Sequence, residues 1–564
     1  PEFAEEVSTV PAKTIRRIAK EIAEAAQVGS TIMLDGVELP FRPVGTAIFR
    51  GGQGHTNSLH SVYATHIIGQ ILGAGDVPGS TIALCPSRCL GDPNTGRPEV
   101  ACFADPDGML VPGLWSTLQA RTAEDYVPRH AAPTVPCVGT GLQELFTQGM
   151  ASVFHSSKDR HELWDKLGVK FNPEMMLSWG TNNIHGLGNP ESVAEAVAEI
   201  PFTVCWDLYP TELSEGFADI VLPGCHHLEH TASCGDAYDL YFNAPIAYED
   251  WTIHGTQPVI EPQFERRFIA DVLFDIADEL GMRDDYNETL NMRFDIKDKY
   301  AIKKGEKLNI TEISDRVFKC NHGDDKGMDW FKENGYMLKP YSTKNWYLYP
   351  HLKKNKIRFE LPYQERILRH GTQLARRMHE VGIEWWDKQL EEYEPLPKYA
   401  PFPDVWTDHV KEEGGDPDDY PFWAVTSRSM QYSWGLNVGI PLINEVAQNI
   451  TGHKGVIINA TKARELGIEE GDPVNLESIT GQTKGYAVLR EGIRPDVLVL
   501  IGQFDHWKTP FAKDLKLPSL NSLTSLSVKL TDSTGSGADY ARIKVTKGSG
   551  PKRSEQHVES APPA

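Results

Sequence analysis

The chain has 564 residues, 40% of them apolar and 24% charged, with 78 acidic against 56 basic side chains and a formal charge of −22. That length is enough for two to four cores of ordinary globular make-up, and the acidic excess argues against nucleic acid or an anionic membrane surface as a partner. No apolar run approaches a membrane span, which leaves out direct insertion, and eight cysteines in this length give no disulfide framework.

The chain opens in mid-stride at Pro1-Glu2-Phe3 and reads as the carboxyl-terminal portion of a larger subunit, its compartment left open. Ser8 as N-cap, Pro11 in the first turn, and Ile15, Ile18, Ala19 and Ile22 at helical spacing predict an amphipathic helix over 8–26. A strand pair over 30–34 and 37–49 follows, joined by a turn at Asp35-Gly36. The glycine-rich run 50–57 enters a helix over 58–72, and such a turn offers free backbone N–H groups to an anion. His55 within it either faces a ligand or caps its own turn. Residues 85–140, rich in Pro, Gly and Asp, read as long surface or funnel-lining loops. Cys85 and Cys89 read as unrelated thiols, since no second pair stands nearby.

Residues 176–231 carry the main signal. A short apolar run from Met176 ends in Trp179-Gly180-Thr181-Asn182-Asn183, a helical segment occupies 191–199, and a second buried run, Phe202-Thr203-Val204-Cys205-Trp206, stops at Asp207. A third apolar run closes at Pro223. Strand, helix, strand, with small polar residues ending the first strand and an acid ending the second, is the layout of a nucleotide-binding crossover. Cys225, His226, His227, His230 and Cys234 crowd together, but their spacing matches no closed metal site and none is assigned as a metal ligand. A helix over 266–280 is expected to bury Phe268, Val272, Leu273, Ile276 and Leu280. In the stretch after it, Trp385-Trp386 reads as a packing pair before a docking surface. From Tyr420 onward, short strands at 422–426, 457–459, 485–490 and 497–501, with little helix, predict a small β-barrel, and the polar tail is expected to be disordered.

Several of these segments resemble one family. Gly180-Thr181-Asn182-Asn183, Asp207 with Thr211-Glu212, Ala218-Asp219-Ile220-Val221-Leu222-Pro223 and Glu229-x-Thr231 follow the order and spacing of the molybdopterin oxidoreductases of the dimethyl sulfoxide reductase family. Asn183 stands where that family has proline, and Leu213 where it has threonine. Ala463-x-x-Leu466-Gly467-Ile468-x-x-Gly471-Asp472-x-Val474, followed by Ile493-Arg494-Pro495-x-Val497, is similar to the family's cap over its pterins. Asp329-Trp330-Phe331 and the run 356–361 are weaker anchors. The resemblance implies an α/β fold, with nucleotide-binding-like crossover α/β domains followed by a C-terminal six-stranded-type β-barrel. The expected division is 1–130 and 131–265 for the α/β parts, 266–419 for an insertion and linker, 420–548 for the barrel and 549–564 for the tail.

It also implies a cofactor: molybdenum or tungsten between two molybdopterin guanine dinucleotides, with an iron–sulfur cluster in an upstream part or a partner subunit. Implied partners are an iron–sulfur electron-transfer subunit, a membrane anchor subunit and a small-molecule substrate. Asp207 would accept the paired N–H donors of guanine with Thr211 helping, the alternative being an aspartate that N-caps the next turn. Gly180 would let the backbone approach, and Thr181 and Asn182 would donate to ribose or phosphate. Thr426, Ser427, Arg428, Met430 and Tyr432 would line pterin and pyrophosphate, with Arg428 bidentate to phosphate; Asn521 and Tyr540 complete the set. The family's four-cysteine iron–sulfur motif and its metal-ligand region do not occur, so His55 is the one catalytic candidate and the chain alone is expected to be inactive. The runs 35–43 and 105–113 look most like the phenylacetyl-CoA acceptor oxidoreductase branch. A non-redox hydratase or transhydroxylase, or a scaffold subunit without pterin, stands as the alternative.

Overall fold

A computed structural model describes most of residues 1–80, the short strands Cys102–Ala104 and Leu110–Pro112, residues 174–231, nearly all of 250–340 and most of 363–553. His55, Cys85, Cys89, Cys234, the run 356–361, Trp385, Trp386, Arg428 and Met430 lie outside the described residues. The chain forms two compact units: Pro1–Ile48 with Tyr63–Pro128 and Gly224–Arg366, and Phe49–Val62 with Arg129–Pro223 and Ile367–Ala564.

In the first unit, the helix expected over 8–26 runs Ala12–Ala25, and a separate helix, Glu2–Ser8, precedes it. Thr9 closes the first in the left-handed region, at φ 63°, and Pro11 stands as N-cap of the second. Proline has no N–H to give and biases the residue before it away from helix, so one helix cannot run through this point. Thr31–Leu34 and Val37–Pro40 pair antiparallel about Asp35 and Gly36, at φ 48° and 72°. Two successive positive φ values are what a tight hairpin turn requires. Further on, Phe274, Ile296, Ile302, Ile310, Ile313 and Val317 form one core. The stripe expected on the helix at 266–280 is rotated. Phe274 and Ala277 are buried in Ile269–Glu279, whereas Ile276 is 38% and Leu280 66% exposed. The side chains this helix packs against come from the following helices, and periodicity alone could not place them.

The second unit holds a sheet and a barrel. The sheet consists of β1 (Met176–Trp179), β2 (Thr203–Asp207) and β3 (Ile220–Pro223), parallel in that order. Every residue of β2 is buried, which is why it reads as a continuous apolar run rather than an alternation. The helix Pro190–Ala198 makes the crossover from β1 to β2. It is capped by Asn189, whose side chain accepts from Ser192 N–H, and it packs Val193 and Val197 with Ile184, Cys205 and Leu213. All three strands therefore end at one edge, with Gly180 and Asp207 on it.

The barrel is closed and six-stranded. Its strands are β4 (Phe422–Ser427), β5 (Gly455–Asn459), β6 (Pro473–Glu477), β7 (Gln482–Arg490), β8 (Val497–Ile501) and β9 (Tyr540–Lys547), in the order β4-β8-β5-β7-β6-β9. Alternation in β9 points Ala541, Ile543 and Val545 inward to meet Phe422, Ala424, Val456, Ile458, Leu476 and Leu498. Among the described residues no helix is long and apolar enough to cross a membrane. β5 starts at Gly455, whose φ is +111° and whose hypothetical Cβ would lie 2.4 Å from the Tyr486 carbonyl oxygen. Gly455→Ala should therefore lower stability by about 1–3 kcal/mol, read as a lower denaturation midpoint; an unchanged midpoint would contradict this packing.

Candidate functional site

The site is built where the sheet edge meets the loops of the barrel. Past β2, the short helix Glu212–Gly216 starts with Thr211 as N-cap, whose hydroxyl accepts from Ser214 N–H while the Ser214 hydroxyl accepts from Thr211 N–H. This box fixes Glu212 in the first turn and turns it inward, fully buried. Its Oε1 accepts from the backbone N–H groups of Trp507, Lys508 and Thr509 at 2.9, 2.7 and 3.0 Å. Its Oε2 accepts from Asn182 Nδ2 at 2.7 Å, from His506 Nδ1 at 3.0 Å and from the Thr509 hydroxyl at 2.8 Å.

Burial alone would raise the pKa of Glu212. The hydrogen bond and charge of His506 and the donors of Thr509 and Lys508 outweigh burial and hold the carboxyl well below the usual carboxylate range. His185 lies alongside, its ring centroid 4.8 Å from that of His506 and 4.5 Å from that of Trp507. Burial, and then the charge of His506, depress its pKa to about 4 against the pull of Glu212, so it is neutral near pH 7. His185, Glu212 and His506 bring one ligating atom each within 4.8 Å of one another, a spacing that suits a metal ion. The donor set argues otherwise. Three backbone N–H groups converge on one oxygen of Glu212 and three side-chain donors on the other, which makes a receptor for a carboxylate rather than a cradle for a cation.

Around this anchor the residues expected from sequence fall into distinct positions. Gly180 follows β1 at φ +60°, and among the described residues nothing lies within 4 Å of a hypothetical Cβ, an approach that a side chain would narrow. Thr181 is exposed and donates to Asn183 Oδ1 at 3.1 Å. Asn182, expected to donate to ribose or phosphate, gives one N–H to Glu212, which can only accept; its Oδ1 is buried and meets no hydrogen-bond partner among the described residues.

Asp207 is 7% exposed and accepts from Thr211 Oγ1 at 3.2 Å; the N-cap of the next helix is Thr211. Burial raises the Asp207 pKa to about 6, opposed by the hydroxyls of Thr211 and Ser214. Thr426 and Ser427 are exposed at the end of β4, and Tyr540 opens β9 opposite Val425. Tyr432 is 1% exposed among Val438, Ala447, Ala512 and Leu517, and burial pushes its hydroxyl up to about 12.

Asn521 donates to the His185 carbonyl at 2.6 Å, and its own carbonyl accepts from Asn189 N–H at 2.8 Å, so it ties barrel to sheet. Gly188, whose Cβ would lie 2.7 Å from Thr524 Oγ1, and Gly439, whose Cβ would lie 3.0 Å from the Tyr209 ring, are close approaches in the same seam. The sequence placed Asp207, Gly180 and Thr211 at one edge, and the structure does too. It did not single out Glu212, His185 or His506, because the bonds from Glu212 to His506 and its neighbours span 294 to 297 residues and no local pattern announces them.

Comparison with known proteins is consistent with this geometry. Residues 433–538 match the Molydopterin dinucleotide binding domain family. The chain is 22% identical over 521 residues to the arsenate respiratory reductase molybdopterin-containing subunit of Chrysiogenes arsenatis, covering 88% of this chain and 54% of that protein. It is 23% identical over 313 residues to the thiosulfate reductase molybdopterin-containing subunit of Salmonella typhimurium, covering 54% of this chain and 34% of that protein. It is also 23% identical over 397 residues to the dopamine dehydroxylase of Eggerthella lenta, covering 63% of this chain and 36% of that protein. The chain thus has homologues among the molybdopterin oxidoreductases, and spans between about a third and just over half of their lengths.

Glu212→Gln replaces an acceptor-only group by one that points an N–H₂ at donors. A loss of about 3–5 kcal/mol, read as a fall in the denaturation midpoint, is the expected result. A change within error would show that the receptor does not hold the two parts together. The folded pKa of Glu212 is depressed, so its contribution is full above its ordinary value of 4.5 and is lost as pH falls through the folded value. The acid limb of a stability–pH curve should accordingly flatten in the Gln variant.

Proposed function

We propose that this chain is part of the catalytic subunit of a molybdopterin-dependent oxidoreductase, holding a pterin guanine dinucleotide between the edge of the crossover sheet and the barrel. The observation that carries this reading is the set of acceptors at the sheet edge. Among the described residues nothing partners the buried Asn182 Oδ1 or fills the space over Gly180, and the Asp207 carboxyl is largely desolvated with its pKa raised to about 6. Such a set suits a heterocycle rich in N–H donors, and both guanine and pterin are of that kind. The match of 433–538 to a dinucleotide binding domain supports the same reading from the barrel side.

Asp207, with Thr211 and Asn182, would hold the heterocycle; Thr426 and Ser427 would face the remainder, whereas Tyr432 is packed in an apolar cluster and would support that wall from behind, and Tyr540 is placed at the start of the neighbouring strand. When bound, such a cofactor supplies the redox chemistry through its metal, and this chain's residues bind it, orient it and shield it from water. Its relatives are molybdopterin-containing subunits of arsenate and thiosulfate reductases, which favours electron transfer to a small substrate through iron–sulfur partners. Within that reading, the runs 35–43 and 105–113 favour the phenylacetyl-CoA acceptor oxidoreductase branch.

The full-length protein, as isolated, should release pterin and GMP in equal amounts on acid treatment, and absence of both would overturn the proposal. An ionised Asp207 accepts two donors, whereas the protonated form loses one acceptor position. Affinity for GDP, measured by titration calorimetry, should therefore hold above pH 6 and weaken as pH falls through about 6. Asp207→Asn should weaken it about tenfold or more and remove that pH dependence; GDP binding indifferent to both would contradict the role of Asp207.

A further inference from the structure

The segment after β9 turns back along the barrel and is fastened to it. Gly548 N–H donates to the Pro473 carbonyl at 2.7 Å, and Arg553 N–H to the Gly471 carbonyl at 2.8 Å. Gly471 has φ +77°, and a Cβ there would lie 2.5 Å from the Arg553 carbonyl oxygen, so the turn is shaped to the strap that crosses it. Lys552 pairs with Glu469 and lies 3.7 Å from Asp472. The next residue is treated differently. The Arg553 guanidinium is half-buried over the Tyr486 ring, 5.4 Å from its centroid, and its charge acts on the Tyr432 hydroxyl.

This chain carries 78 acidic side chains against 56 basic ones, yet among the described residues no carboxylate pairs with Arg553. A cation taken part-way out of water without a counter-ion is costly, and burial indeed pulls its pKa down. The ring face of Tyr486 offsets some of that cost but leaves the planar N–H fork uncommitted. A fork of this kind recognises phosphate oxygens in a bidentate way.

We propose that Arg553 is an anion-binding residue, receiving a phosphate or pyrophosphate group on the Tyr432 side of the barrel. For the identity of its natural ligand, the pyrophosphate of the dinucleotide, this rests on the function proposed above; the anion chemistry stands apart from it. The bland alternative is a clamp in which the guanidinium serves only to pin the strap onto Tyr486.

Titration calorimetry with inorganic pyrophosphate separates the two, using the full chain prepared without cofactor, its Arg553→Gln variant and its Arg553→Met variant, which keeps the apolar stem. Thermal melting of each protein reports on the strap. Saturable binding by the wild type, weakened about tenfold or more in whichever variant folds, is the expected result. Equal binding by wild type and variants, or no saturable binding by the wild type, overturns the proposal, and a lower melting temperature with unchanged pyrophosphate affinity identifies a clamp. Because the probe is pyrophosphate alone, a protein found to lack pterin would remove the natural ligand while leaving the anion site to stand or fall by this titration.

Discussion

One buried carboxylate organises the second unit. Glu212 sits in the first turn of a short helix after β2 and is met by donors from a turn 294 to 297 residues further on, between β8 and the end of the barrel domain. A buried charge is tolerated only when its lone pairs are taken up, and here both oxygens are saturated. Other features follow from that constraint. Asn182 must turn its N–H₂ toward Glu212, so its oxygen faces the other way. His506 must carry hydrogen on Nδ1. The turn 506–509 must aim successive N–H groups at one point, which fixes the barrel's exit loop against the sheet edge. Asn521, Gly188 and Gly439 then close the seam with contacts that only such a register permits.

The chemistry of the edge is complementary to what lies in the barrel. At the ends of β1 and β2 stand acceptors: the Asp207 carboxyl, kept short of full ionisation near pH 6 by burial, and the Asn182 oxygen, which no described residue partners. Beside the barrel stands a guanidinium that meets no carboxylate among the described residues, near two tyrosines. Acceptors for a heterocycle at one place and a cation for phosphate at another are the two demands that a dinucleotide makes on a protein.

Much of this was legible in the sequence because it depends on short-range patterning. β2 is an uninterrupted apolar run ending in an acid, and the barrel strands are short runs divided by turn residues; both appear where periodicity put them. The helix Ser58–Leu72 matches its expected bounds. The failures have physical causes. Pro11, expected inside the first turn, is the N-cap, so the helix that carries Ile15, Ile18, Ala19 and Ile22 starts at Ala12 rather than after Ser8. The helix at 266–280 turns Phe274 rather than Leu280 to the core, because its partners are later helices whose positions no local pattern records. Asn182 has the expected place, and one of its amide hydrogens is taken by a carboxylate that only the tertiary fold brings near. Glu212 was visible as part of a motif, but a motif does not show that its oxygens are engaged by the far end of the chain.

The most direct test is an experimental structure of the pterin-loaded protein. The account predicts heterocycle density with its N–H edge on Asp207 and Asn182, pyrophosphate running toward the barrel, and the Glu212 receptor unchanged. Density for the dinucleotide elsewhere, with solvent alone against Asp207 and the Asn182 oxygen, would contradict it.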